Sequence, residues 1–520
     1  MTRRAALSGL AALPIVSQIR LAHGQERPHL VVATADNPPT IEPGRELSNV
    51  GTRITYSIFD TLIQRDFLGE PGGGGAGLKP GLATSWKRLG DDALELELRK
   101  GVSFHNGALF TAQDVAFTFS AERLSGPDAR VPEGRAYFAV IDRVDIVNEH
   151  KVVIRTKGPD ALLEQRLASW ASWIVNEEDW RAKAGDGLPR DPVGTGPYRL
   201  VELRDGDHIR LEANDSYWGE RPTASTVTFK VVPEVAARVA GLVSGEFDII
   251  VNVPPDQIPV LERYENVEAR SVVLANSHVL VYNTLHPVLQ DKRVRQALNL
   301  AIDRNLLNEA LWGGKAVVPN SHQYPEFGYM YGPDRNGLAY DPERARQLLA
   351  EAGYAGEPVI YRTHATYYVN ALPAAQALIE MWRAVGINAQ LEVIEQFPAD
   401  DTKMIRNWSN STRYPDPLGA LWIAWGEAGS AQRSKSSGTW AGPATDRFNA
   451  LGRELSRTVD PDHRFALGQQ MLDIWEDDAP GTILYQPLET YGVRKGLLWQ
   501  PYTFYYMDLR GENLQFPGQG

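Results

Sequence analysis

A reactive side chain needs a positioned partner, and the stretch GVSFHNGALFTAQDVAFTF (101–119) offers the first place to look for one. His105 stands in a glycine-bounded loop that runs into an apolar segment. An imidazole so placed could serve as a general base or activate a nucleophile. No second histidine or carboxylate stands beside it at motif spacing. Thr111 is placed instead to cap a helix from Ala112, with Asp114 three residues on completing a capping box. Val115, Phe117 and Phe119 would then form buried wall, and Gly101 and Gly107 permit tight turns. The loop therefore reads as a turn held by a hydrogen-bonded structural histidine.

Other chemistry is missing in the same way. Neither G-x-S-x-G, nor a P-loop, nor H-E-x-x-H occurs. EPGGGGAGLKP (70–80) satisfies G-x-G-x-x-G through Gly72, Gly74 and Gly77, but Pro80 and another loop follow where a dinucleotide site needs a helix. A surface loop is expected there. The chain has no cysteine, which removes disulfides, thiolate metal sites and cysteine nucleophiles together. Its histidines are scattered, so neither a metal nor a cofactor is expected. A net charge of −12 with no basic run excludes nucleic acid as a partner. The 65 carboxylates could hide a distant glycosidase pair, and the 13 tryptophans would suit sugar stacking as well as core packing. A secreted glycoside hydrolase stays open.

The elements that must position any site follow from length and pattern. At 520 residues, two or three domains are expected. The start, MTRRAALSGLAALPIV, joins Arg3 and Arg4 to an apolar run too short to span a bilayer, and reads as a cleaved export signal of twin-arginine type ending near residue 24. No later run of about 18 apolar residues exists to anchor the chain. Strands are expected at 30–36, 94–98, 151–156, 208–214, 226–232, 278–284, 358–363 and 389–395, several of them alternating apolar and polar residues. A long helix is expected over 291–311, with Val294, Leu298, Ile302 and Leu306 on one face and glycines at 313–314 ending it. Further helices are expected over 341–354, capped by Asp341 and Pro342, and over 371–387. This alternation of strands and helices assigns the α/β class.

LKPGLATSWKRLGDDALELELRKGVSFHNGALFTAQDVAFTF (78–119) resembles the signature region of bacterial solute-binding proteins of family 5, the dipeptide, oligopeptide and nickel group of ABC importer receptors. Three more blocks resemble that family in the same order: DPVGTGPYRLVEL (191–203), VYNTLHPVLQDKRVRQALNLAIDRNLL (281–307) and YDPERARQLLAEAGY (340–354). The resemblance implies a periplasmic receptor that is not an enzyme. Its expected fold is of the periplasmic-binding-protein type II kind, two α/β lobes around a hinge plus an inserted third domain. Carried onto this chain, lobe I comprises 27–57, 183–275 and 487–520, the inserted domain 58–182 and lobe III 276–486. The implied partners are a small-molecule solute and the ABC permease subunits, and a monomer is expected.

Peptide-binding members follow a lobe III tryptophan with an aspartate for the peptide ammonium. In NWSNSTRYPDPLGALW (407–422), Trp408 and Asp416-Pro417 match that pattern, while Thr412 and Arg413 stand where the aspartate would fall. The arginine that dipeptide binders use for the carboxylate is displaced too: Arg362 comes early, and His364, Ala365 and Thr366 take its place. Arg413 points to an acidic solute, because a guanidinium fork fits carboxylate geometry. Arg135 is expected as a second anion contact and Tyr137 as wall. Trp170, Trp408, Tyr414 and Trp422 are expected as flat faces, with Tyr324, His364, Asp416 and Asn37 also lining the site. The implied solute is a modified peptide, an opine-like amino-acid and sugar conjugate, or a sugar acid. Ordinary di- or oligopeptides and a nickel chelate are the alternatives.

Overall fold

The computed structural model describes residues 27–69, 74–184, 188–395, 404–433 and 440–517. The export segment expected over 1–24 and Gly72 of the glycine-rich stretch lie outside them. Two large sheets dominate. The first runs Val267–Val273, Leu488–Arg494, Ile249–Ile250, His29–Thr34, Thr226–Val231, His208–Ala213, Tyr198–Arg204. His29–Thr34 is parallel to both its neighbours, and the other pairs are antiparallel. The second sheet runs Ala389–Ile394, Val359–His364, Ile405–Ser411, Asn276–Tyr282, Gly481–Tyr485. A four-stranded antiparallel sheet joins Ala83–Gly90, Ala93–Leu98, Lys151–Thr156 and Ile141–Asn148, and a short pair joins Ile63–Arg65 to Leu78–Pro80.

Side-chain alternation explains which faces these strands bury. In Ala93–Leu98 the leucines are buried and the glutamates between them are half-buried. Asn276–Tyr282 is buried throughout, because its sheet is covered on both faces. Val279 and Val281 join a cluster with Trp425 and Trp475, while Leu280 and Tyr282 join another with Trp382.

The helix expected over 291–311 is two helices, Lys292–Leu300 and Arg304–Trp312. Asp303 starts the second by accepting from the Leu306 amide at 2.9 Å. The break resets the helical face, so Leu307 is buried and Leu306 is 57% exposed, outside the stripe assigned to it. Gly313 closes the pair in the left-handed region at φ 58°.

The loop around His105 is structural. Thr111 and Asp114 form the reciprocal capping box. The His105 Nε2 lies 3.0 Å from the Gly196 carbonyl oxygen, and burial lowers the imidazole pKa to about 4. The ring is therefore neutral, with its proton on the nitrogen that donates.

One continuous hydrophobic core contains Val32, Ile209 and Phe229 of the seven-stranded sheet together with Leu94, Leu96 and Ile154 of the four-stranded one. The C-terminal segment belongs to it through Tyr502, Phe504, Tyr505 and Tyr506. Tyr506 stacks on Tyr56 at 4.4 Å and Tyr502 on Phe67 at 4.5 Å. Buried Asp60 ties this segment down by accepting from Arg510 Nη2 at 2.8 Å, Trp218 Nε1 at 2.9 Å and Thr195 Oγ1 at 3.0 Å. The five-stranded sheet packs against two further clusters, one on either face, and Leu488 and Leu162 from outside it reach into them.

Candidate functional site

Arg413 leaves the C-terminal end of Ile405–Ser411, inside the five-stranded sheet. The chain there turns back on itself: Thr412 donates to the Ala275 carbonyl at 2.8 Å and the Arg413 amide to the Gly419 carbonyl at 2.9 Å. Gly419 is required by space, since a Cβ on it would meet the Tyr414 carbonyl oxygen at 2.4 Å. Asp416 pins the turn. One of its oxygens accepts from the Leu418 amide at 2.9 Å, and the other pairs with Arg464 at 2.6 Å. Burial raises the Asp416 pKa, and the Arg464 guanidinium pulls against that rise.

The turn projects Arg413 against two other parts of the chain. Its Nε donates to the Tyr137 hydroxyl at 3.1 Å, and the guanidinium carbon lies 3.3 Å from the Trp170 ring centroid. Phe504 meets the edge of that indole at 5.5 Å. Tyr505 and Tyr506 lie near enough to act on the guanidinium charge. Burial lowers the Arg413 pKa, because the cation has left water without gaining a counterion. Among the described residues no carboxylate pairs with it, and Nη1 is shielded from solvent with no acceptor. The residue as a whole is half-buried, and a cation partly withdrawn from water without a counterion is costly. Its two terminal nitrogens present the planar edge that a carboxylate matches.

The neighbouring guanidinium is treated differently. Arg166 Nε donates to Asp160 at 2.9 Å, so its charge is compensated within the protein. Its Nη1 donates to the Tyr137 carbonyl at 3.2 Å and to the Tyr414 hydroxyl at 3.0 Å. A cavity of about 170 Å³ beside it is lined by Tyr137, Arg166, Tyr414, Leu418, Trp422 and Ile423, among others.

Of the residues singled out from the sequence, Tyr137, Trp170, Arg413 and Tyr414 come together. Two of them hold different posts from those assigned. The face of Trp170 is occupied by Arg413, so the indole is a platform for the guanidinium, and the Tyr414 hydroxyl is taken by Arg166. Arg135 is exposed. It stands two residues from Tyr137 on the helix Pro132–Phe138, about 200° around the axis from it.

Asp416 is consumed by Arg464. Asn37 is consumed by the 204–206 turn, donating to the Arg204 carbonyl at 2.8 Å and accepting from the Gly206 amide at 2.9 Å. Tyr324 is buried with its hydroxyl bonded to Ser277. Trp422 lines the cavity with Tyr137 and Tyr414, and its ring stacks on Phe448 at 6.0 Å. Trp408 lies half-buried beneath the Arg406 guanidinium at 5.5 Å, and the His364 amide donates to Asn407 Oδ1 at 3.4 Å.

Arg166, Tyr505 and Tyr506 were not singled out. The aromatic run YTFYYM (502–507) was the available signal for the tyrosines. LLEQRLASW carries none for Arg166, whose partners are remote in sequence. Among the described residues no group of three or more His, Asp and Glu is arranged to hold a metal ion.

The family model described as bacterial extracellular solute-binding proteins, family 5 middle, matches residues 77–432, more than half of the chain. The dipeptide-binding protein of Escherichia coli (strain K12) is 27% identical over 446 residues, covering 80% of this chain and 82% of the relative. The DppA periplasmic binding protein from Helicobacter pylori, solved with the peptide STSA, superposes with a TM-score of 0.79 at 20% identity, covering 94% of this chain and 98% of its own. The PBP AgaA from A. tumefacien R10, solved with agropinic acid, gives 0.80 at 21%, covering 95% and 99%. At these identities the likeness establishes the fold, that of the two-lobed type II periplasmic binding proteins.

Proposed function

We propose, since this chain belongs to the bacterial extracellular solute-binding proteins of family 5, that it is an importer receptor whose solute carries an acid group held by Arg413. A solute touching both walls of a cleft favours the closed arrangement by its differential affinity, and closure then reports occupancy to the permease. The lobes on this reading are 27–57 with 183–275 and 487–520, and 276–486, with 58–182 inserted. Residues 1–24 serve export to the periplasm. Among the described residues no helix is long and apolar enough to cross a membrane.

The single observation that carries the acid reading is the uncompensated guanidinium of Arg413, beside an Arg166 that has its own carboxylate. The solute supplies the missing anion, as a modified peptide, an opine-like conjugate or a sugar acid. Agropinic acid bound to AgaA supports this class. Ordinary di- or oligopeptides are the second reading, favoured by what the relatives bind.

The test is a thermal-shift screen of small organic acids, each paired with its primary amide, followed by product analysis. Binding raises the melting temperature without consuming the compound. Acids should stabilise and their amides should not. Equal stabilisation by the two would remove the acid reading, and cleavage of an offered peptide or oligosaccharide would restore the hydrolase.

A further inference from the structure

Arg166 touches both neighbours of the acid-binding guanidinium. Its Nη1 holds the backbone carbonyl of Tyr137, whose hydroxyl accepts from Arg413 Nε. The same nitrogen donates to the hydroxyl of Tyr414, the residue that follows Arg413 in the chain. Tyr137 and Arg166 come from the segment that carries the four-stranded sheet, whereas Arg413 and Tyr414 come from the turn after Ile405–Ser411. Two bonds therefore cross the same junction in opposite directions, Arg166 to Tyr414 and Arg413 to Tyr137. The crossing made by Arg166 carries no net charge, because Asp160 holds its Nε at 2.9 Å and is itself fixed by the Leu162 amide at 3.0 Å.

We infer, resting on the reading of Arg413 as the acid-binding group, that Arg166 is a positioning residue: it locks Tyr137 and Tyr414 across the junction and so fixes the direction in which Arg413 presents its terminal nitrogens. With Nε committed to Tyr137 and one face committed to Trp170, the edge formed by the two terminal nitrogens is what remains for a carboxylate, and Nη1, shielded from solvent in this arrangement, becomes reachable when the walls part. Approach from the Nε side is closed. An acid whose carboxylate is planar and unhindered at its end meets that edge with two parallel bonds. The Arg166 to Tyr414 bond exists only while the two walls meet, so it also favours the closed arrangement before any solute arrives.

The test reads Arg413 directly, without solute, by labelling the full chain with the arginine reagent phenylglyoxal and mapping each site by mass spectrometry. Arg135 is exposed and serves as the reactive control, and buried Arg304 serves as the protected one. Tyr414→Phe removes one oxygen and keeps the ring. It should raise the labelling rate of Arg413 about fivefold, the equivalent of one net hydrogen bond, and leave both controls unchanged. Arg166→Gln should do the same, and Arg166→Lys, which keeps the charge beside Asp160, should restore part of the protection.

An unchanged Arg413 rate in Tyr414→Phe would overturn the assignment, whether or not the Arg166 variants fold. So would a rise shared by Arg304, which would mark general loosening. Neither result touches the acid reading, which stands or falls on the acid and amide pairs measured with the unaltered protein.

Discussion

At the scale of the residue, the informative contrast is between two arginines a few ångströms from the same tyrosine. Arg166 brings Asp160 with it, and Arg413 brings no anion. Arg413→Ala should therefore weaken an acid selected by the thermal screen by about 2 kcal/mol or more, roughly thirtyfold, and leave its amide unaffected. Isothermal calorimetry on the pair checks this, and an unchanged affinity for the acid would place the pocket elsewhere. Arg413→Lys should fall between the two, because an ammonium keeps the charge but neither stacks flat on Trp170 nor offers a fork. Arg413 stands out in the sequence because it lies between Trp408 and Asp416-Pro417, where a pattern exists to be departed from. Arg135 shows the limit of reading positions without direction, since a helix starting at Pro132 turns residues 135 and 137 to different sides.

At the scale of the element, alternation and caps were readable, and register was not. The strands Ala93–Leu98 and Lys151–Thr156 announce themselves by pattern. Ile405–Ser411, which delivers Arg413, reads IRNWSNS and carries no alternation to find, since polar side chains take buried positions in it: Asn410 is bonded to the Ala420 carbonyl and Ser411 to Asn276. Asp303 likewise divided a periodic helix by capping in its middle.

The His105 loop ties the stability of its surroundings to pH. Burial holds its imidazole pKa near 4, below the ordinary 6.5. As pH falls through 6.5 the unfolded chain takes up a proton that the folded chain refuses until about 4, so this histidine costs stability progressively across that window and adds no further loss below it. His105→Gln removes that titration along with the bond to Gly196. Urea unfolding should find the variant less stable by about 1 kcal/mol near neutral pH, from the lost hydrogen bond. That deficit should shrink and then reverse as the pH is lowered toward 4, because the shift of the buried ring outweighs one hydrogen bond. A deficit that stayed constant would mean the ring titrates normally in the folded chain.

At the scale of the whole molecule, sheets and cores divide the chain differently. Among the described residues, no sheet mixes strands from the three ranges proposed as lobe I, insertion and lobe III. The hydrophobic core does mix two of them, since Val32, Ile209 and Phe229 share a cluster with Leu94, Phe110 and Trp173. Sequence patterns could not show this, because the shared core joins residues far apart along the chain and depends on how two sheets are set against each other. Cooperative units follow cores, where most of the buried apolar area lies. The inserted segment should therefore unfold with the seven-stranded sheet, and the five-stranded sheet, which has separate clusters on both faces, should open as a unit of its own. Native-state hydrogen exchange resolved by mass spectrometry tests this directly. Amides of Ala93–Leu98 and Lys151–Thr156 should lose protection at the same denaturant concentration as those of His208–Ala213 and Thr226–Val231, and those of Asn276–Tyr282 at another. If the four-stranded sheet instead opened alone, the insertion would be an independent domain. Closure would then be a movement of three bodies, and the bonds made by Arg166 and Arg413 would join two mobile parts with neither wall held by the first lobe.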